Sequence, residues 1–272
     1  MIGVIVYRLR AENSARLPIF HGRLVHGAIF TQLRKQSEAL ADFIHNKMNS
    51  KPFTVSALNW EKGNEKRARD FAVEKGKVYY LRLTALSGEV LEALLQPREA
   101  ERLEIGRAVF SLEEILADGR CGTGLASVED LIDGVSALPE MESVDFRFIS
   151  PVSFRNFERD YPFPLPEFIF GSLADKWLQA GLPALFERQE VRDLARELPL
   201  GLWQGCSRKV YFASDRGMLA FEGRFSYLLR DVEPEQQKLL LMLAQFAVFA
   251  GVGRLTAQGF GQTQIEFKEL KM

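Results

Sequence analysis

Two stretches of the chain show the same order of hydrophobic periods, and that repeated order limits the fold more than any single motif. In the first, "GVIVYRLR" is β-rich, and Leu24, Val25, Ala28, Ile29 and Leu33 recur at helical spacing between Gly22 and Arg34. A second helical piece spans residues 38–47, followed by the strand patterns "PFTVSAL" (52–58) and "KVYYLRLTAL" (77–86). Ser87 is placed to cap the next helix, "SGEVLEALLQ", which Pro97 ends, and "RLEIGRAVFSL" is extended again. Strand, helix, strand, strand, helix, strand is the ferredoxin-like order. The second half follows the same course. "SVDFRFIS" (143–150) is a strand expected to stop at Pro151, and Pro164 to Gln179 is helical. "RKVYFA" and "MLAFEGRFSYLL" pair as strands, Glu233 to Ala250 is a long amphipathic helix, and "QTQIEFKEL" is the last strand. The expectation is an α+β chain of two tandem ferredoxin-like domains, 1–137 and 138–272.

A chain of 272 residues that is 47% hydrophobic, with 21 phenylalanines, has enough apolar surface for two such cores. The longest uncharged run, Leu239 to Gly253, has fifteen residues, short of the ~20 that cross a bilayer as a helix. The opening "MIGVIVYRLR" lacks the order of a signal peptide. Cys121 and Cys206 stand far apart without metal-ligand or redox spacing, so a reducing cytoplasm is the expected setting. Net charge is −1, yet residues 1–36 carry +5 and residues 201–230 carry +3. Such local basic faces fit a selective polyanion ligand, and ordinary surface scatter would also produce them.

"FAGVGRLTAQGFGQTQIEF" (249–267) places Gly251, Gly253, Gly259 and Gly261 around Arg254, Thr256 and Gln258, between the last helix and the last strand. A phosphate-binding glycine loop runs from strand to helix, the reverse order, and no Gly-Lys-Ser/Thr follows. A helix C-cap and a β-bulge account for two of these glycines. Close approach of a sugar–phosphate chain to the backbone accounts for all four.

All three histidines, His21, His26 and His45, lie in the first 45 residues. No thiol or carboxylate cluster joins them, so neither a metal nor a cofactor is expected. His45 ends the second helical piece before the basic turn "NKMNSKP" and Lys51. It is either a hydrogen-bonding helix end or a proton-transfer group.

Four segments together resemble the CRISPR repeat-processing endoribonucleases of the repeat-associated mysterious protein superfamily. They are the paired glycine loop, "HGRLVHGAIFTQL…LADFIH…KPFTVSAL", "FRFISPVSFR" (146–155) and "FPLPEFIFGSLADKWL" (163–178). The resemblance spans nearly the whole chain and implies two ferredoxin-like domains. It also implies metal-independent cleavage of CRISPR precursor RNA within the repeat, by 2′-hydroxyl attack, leaving 2′,3′-cyclic phosphate and 5′-hydroxyl ends. The family's catalytic histidine falls on His45 and its lysine on Lys51. Its tyrosine falls on Phe30, which has no hydroxyl, and His26, one helical turn earlier, is the candidate replacement. The resemblance makes the glycine loop, with Arg254, Thr256 and Gln258, an RNA-binding element. Arg23, Arg155, Arg208 and Lys209 are further candidates for phosphate contacts. Neither DNA nor a membrane is an expected partner; other CRISPR-associated proteins are. Two other readings share the fold: a non-catalytic RNA-binding subunit of an interference complex, and a ferredoxin-like protein that binds a small phosphorylated ligand.

Overall fold

Alternation along the strands and helical spacing between them produce two sheets, each covered on one face by helices. The computed structural model describes residues 1–47, 50–60, 70–96, 102–212 and 217–270. Met48 and Asn49 of the basic turn, and Pro97 after the third helix, lie outside the described residues. Contacts divide the chain into two units. The first comprises Met1–Leu125 and Leu255–Gly259, with Tyr211 and Phe212; the second takes Ala126–Val210, Gly217–Arg254 and the chain from Phe260 on.

In the first unit the elements run β1 (Ile2–Ala11), β2 (Ala15–Pro18), α1 (Gly22–Gln36), α2 (Glu38–Lys47), β3 (Phe53–Leu58), β4 (Asp70–Val73) and β5 (Val78–Ala85). There follow α3 (Gly88–Leu95), β6 (Arg102–Ile105), β7 (Ala108–Leu116) and β8 (Gly124–Ala126). The sheet order is β3-β5-β1-β7-β6, with β8 pairing β1 off this path; β2 and β4 form a separate pair. Strands β3, β5, β1 and β7 are the four strands of a ferredoxin-like sheet. The expected single strand "RLEIGRAVFSL" is instead a hairpin, β6–β7, turning where Gly106 has φ 61°. Ile5 pairs with Leu83 and Tyr7 with Leu81, and all four are buried with Val25, Ile29 and Leu33 of α1 and Leu94 of α3. Each large apolar side chain so buried contributes roughly 1.5–3 kcal/mol. Ser87 caps α3 as its position predicts, its Oγ accepting from the Val90 amide at 3.4 Å.

The second unit contains α4 (Val128–Ser136), β9 (Met141–Val152), β10 (Phe154–Asn156), β11 (Arg159–Tyr161), α5 (Pro166–Gln179), α6 (Arg188–Arg196), β12 (Leu200–Tyr211), β13 (Gly217–Leu228), α7 (Pro234–Ala250) and β14 (Thr263–Glu269). The order β12-β13-β9-β14 repeats the ferredoxin-like arrangement. Phe146 of β9 faces Phe225 of β13 and Ile265 of β14 in register, and its ring meets Phe170 of α5 edge-on at 5.7 Å. Trp177 of α5 meets Phe246 of α7 at 5.1 Å, which closes the helix layer over the sheet.

Three boundaries differ from the expectations: Leu255–Gly259, with Tyr211 and Phe212, expected in the second domain, group with the first unit, and two others follow. Strand β9 runs past Pro151 to Val152. The ladder with β14 ends at Phe148 opposite Thr263 and β13 bulges between Phe221 and Gly223, so the missing proline N–H falls where the pairing lapses. Residues 126–137, placed with the first domain by the sequence pattern, form α4 and belong to the second unit. Helix α4 starts on a capping box, Ser127 Oγ accepting from the Asp130 amide and Asp130 accepting from the Ser127 amide. It packs against α7, where Gly134 lies beside Gln245.

Candidate active site and RNA-binding loop

Helix α1 presents His26 and Phe30 one turn apart, a spacing that puts both on one face. The His26 ring stacks on Phe53 of β3 at 5.6 Å and 9°, and on Phe30 at 5.9 Å. Phe30 in turn meets the His45 ring of α2 at 6.0 Å, so the phenylalanine at the tyrosine position separates the two imidazoles. It also carries the Arg34 guanidinium over its face at 5.5 Å.

The two candidate histidines sit in different surroundings. His26 is partly buried, and its Nδ1 lies 2.9 Å from the Ala257 carbonyl oxygen. A carbonyl only accepts, so Nδ1 carries the proton and Nε2 keeps its lone pair. Nε2 has no hydrogen-bond partner among the described residues. Burial holds the His26 pKa below its ordinary value; the Ala257 bond opposes this, and the charges of Lys51 and Arg23 add to it. His45 is exposed at the end of α2, with Nδ1 3.0 Å from Asn46 Oδ1. Lys51 Nζ donates to the carbonyls of Ile44 (2.7 Å) and His45 (3.2 Å), closing the helix end beneath that imidazole, and partial burial lowers its pKa. His21 has a structural role: its Nε2 accepts from the Leu58 amide at 2.9 Å, its Nδ1 donates to the Pro18 carbonyl, and burial brings its pKa down to about 4. Among the described residues no three His, Cys, Asp or Glu side chains converge.

Ala257 belongs to the glycine loop. Leu255–Gly259, with a 3-10 turn at Thr256–Gln258, is part of the first unit and packs on α1 and β3. Thr256 is buried and Gln258 half-buried. A Cβ on Gly22 would lie 2.2 Å from the Gln258 carbonyl oxygen, and one on Gly259 would lie 2.9 Å from Gly22 Cα. The start of α1 and the loop therefore touch backbone to backbone, which is what brings the Ala257 carbonyl to His26.

The loop's flanks are built in the second unit. Lys176, buried on α5, donates from Nζ to the carbonyls of Ala250 (3.2 Å) and Gly251 (2.8 Å) at the end of α7, and burial brings its pKa down to about 7. The Gly253 amide donates to Ser172 Oγ at 3.2 Å, and the Arg254 amide to the Ser153 carbonyl at 2.9 Å. All four glycines have positive φ and are buried. At Gly253, Gly259 and Gly261 the space a side chain would take is also filled by protein: the Ser153 oxygen lies 2.4 Å from a Cβ at Gly253, and the Val252 oxygen 1.9 Å from one at Gly261. The chain's own backbone thus demands the glycines without any ligand. Gly261→Ala is expected to destabilise the protein by roughly 1–2 kcal/mol for left-handed backbone plus about 1–3 kcal/mol for overpacking. Gly27→Ala, on the open side of α1 with nothing within 4 Å of the new Cβ, is expected to stabilise by about 0.5–1 kcal/mol. Denaturant unfolding of both variants checks the contrast.

The basic candidates are dispersed. Arg23 of α1 is exposed and has no ion pair among the described residues. In the second unit Arg254 donates to Asp160 at 2.7 Å, Arg208 pairs with Glu222, and Arg155 lies 3.9 Å from Glu158; Lys209 is exposed. The loop carbonyl that orients His26 escaped the sequence reading, because a backbone group has no residue signature. Lys176 escaped it as well, although a lysine among the apolar positions of "FGSLADKWL" was a visible signal.

A family model described as CRISPR-associated endoribonuclease Cas6 matches residues 146–263. A search of curated proteins gave no match. Among solved structures, a product complex of a Thermus thermophilus Cas6 (TTHB231) is 30% identical, with a TM-score of 0.76 over 98% of this chain and 100% of that one. A product complex of another Cas6 (TTHA0078) is 23% identical, with a TM-score of 0.75 over 97% and 99% of the two chains. A Cas6-related protein from Pyrococcus furiosus shares the fold at 14% identity, TM-score 0.61, over 98% and 99%. With the glycine loop, both sheets and the histidine-bearing helices inside a full-length match at 30% identity, the chain belongs to the family of CRISPR-associated Cas6 endoribonucleases.

Proposed function

We propose that this endoribonuclease cuts CRISPR precursor RNA within the repeat, without a metal ion, by attack of a ribose 2′-hydroxyl on the adjoining phosphorus. The observation that carries the reading is the tautomer of His26, whose Nδ1–H is tied to the Ala257 carbonyl while Nε2 keeps a lone pair. A neutral imidazole fixed in this way is suited to take the 2′-hydroxyl proton. The O2′–P bond forms as the P–O5′ bond breaks, and the departing 5′-oxygen takes a proton from His45. The products are a 2′,3′-cyclic phosphate and a 5′-hydroxyl. Lys51, beside His45, and Arg23 offset the charge that grows on the non-bridging oxygens. Arg155, Arg208, Lys209 and Arg254 bind phosphates away from the scissile bond, and the glycine loop shapes the site chiefly through its backbone. Family membership and the related product and substrate-mimic complexes support repeat RNA as the substrate.

Incubation with repeat RNA in excess EDTA tests the chemistry. Cutting is expected to persist, with the upstream fragment carrying the mass of a cyclic phosphate. Cutting that stops in EDTA and returns with Mg²⁺ would overturn the metal-independent route. Tight binding with no product in either condition would favour a non-catalytic RNA-binding subunit.

A further inference from the structure

The β10–β11 hairpin holds an unfavourable conformation at its tip and buries nothing in exchange. Its strands pair Phe154 with Tyr161, Arg155 with Asp160 and Asn156 with Arg159, which leaves Phe157 and Glu158 as a two-residue loop. Both have positive φ, 45° and 62°. That is the pattern of a type I′ turn, normally filled by Asn-Gly because other side chains crowd the backbone in this region. Phe157 is 92% exposed, so its ring gains no packing from the chain. Strain kept at such a position points to a role outside the fold.

The base of the hairpin is firm. Phe154 and Tyr161 pack on Phe168 of α5 at 5.7 and 5.0 Å. Asp160 holds Arg254 at 2.7 Å, next to Arg155 on the opposite strand. Arg155 makes only a long, exposed contact with Glu158, at 3.9 Å, and Arg159 is exposed with no ion pair among the described residues. An open aromatic ring on a rigid stem, set among three arginines, matches what single-stranded nucleic acid requires. The ring offers a π-face to a base, and the guanidinium groups neutralise neighbouring phosphates.

We propose that Phe157 is a base-stacking residue for an unpaired or stem-terminal nucleobase of the repeat RNA, with Arg155, Arg159 and Arg254 holding the adjoining phosphates. The inference rests on the RNA-processing reading above. Its test uses repeat RNA blocked by a 2′-deoxy nucleotide at the cleavage site for affinity, and unblocked RNA for cutting. Phe157→Ala is expected to weaken binding by about 5- to 100-fold, and Phe157→Trp to bind as well as the unaltered protein. Phe157→Asn combined with Glu158→Gly should weaken binding as alanine does, yet raise Tm by about 2–4 °C by relieving the turn. A purely structural Phe157 cannot produce that opposed pair of results. Unchanged affinity in Phe157→Ala, with the unaltered protein cutting normally, overturns the stacking role. If the unaltered protein neither binds nor cuts repeat RNA, the RNA-processing reading falls and the stacking role falls with it.

Discussion

His45→Ala is expected to slow cleavage of repeat RNA by about 10²–10⁴-fold while leaving affinity for the RNA within a few fold. Three features separate the two effects. The imidazole is exposed at the end of α2, and its Nδ1 is hydrogen-bonded to the neighbouring Asn46 side chain. Its removal opens no cavity, and surface changes of this kind usually alter stability by less than about 0.5 kcal/mol. The helix end is held by Lys51 through the backbone carbonyls of Ile44 and His45, which alanine retains. The charges of Lys51 and Arg23, which attract phosphate, are also unchanged. Single-turnover cutting and equilibrium binding, measured on the same preparation, give the two numbers. Cutting at the original rate in His45→Ala would remove His45 from the chemistry.

The repeated strand and helix order was legible because it is local. Period 2 in "KVYYLRLTAL" and helical spacing around Val25, Ile29 and Leu33 are read within one element. What failed depended on partners distant in the chain. Helix α4 joins the second unit because it packs on α7, about a hundred residues later, and no property of residues 126–137 alone announces that. Strand β9 outlasts Pro151 because the proline falls in a gap of its pairing with β13, between Phe148 opposite Gly223 and Val152 opposite Phe221. The site divides in the same way. The spacing of His26 and Phe30 and the resemblance around His45 and Lys51 were visible in the chain. The glycine pairs were visible too, but the groups that require them, the Ser153 and Val252 oxygens and Gly22 Cα, become neighbours only in the fold. Phe157 carried no turn signal, since Phe-Glu is a poor choice for a two-residue hairpin loop.

His26→Asn is expected to lower the cleavage rate by about 10²–10⁴-fold in a protein that folds normally, which makes it a sharper test than alanine. The asparagine amide nitrogen occupies nearly the place of Nδ1 and can still donate to the Ala257 carbonyl, so the contact between α1 and the loop is kept. What disappears is Nε2, the only basic atom the imidazole has left once Nδ1 is committed. The pH dependence supplies an independent check. A base works when unprotonated, so the rate is full above its pKa and falls as pH drops through it. Burial, and then the charges of Lys51 and Arg23, hold the His26 pKa below its ordinary value. The acid limb assigned to His26 should therefore lie below pH ~6.5. Arg23→Gln removes one of the opposing charges and should move that limb upward, toward neutral pH. Retention of full activity in His26→Asn would assign the proton acceptor to another group and return His26 to a purely structural role at the loop.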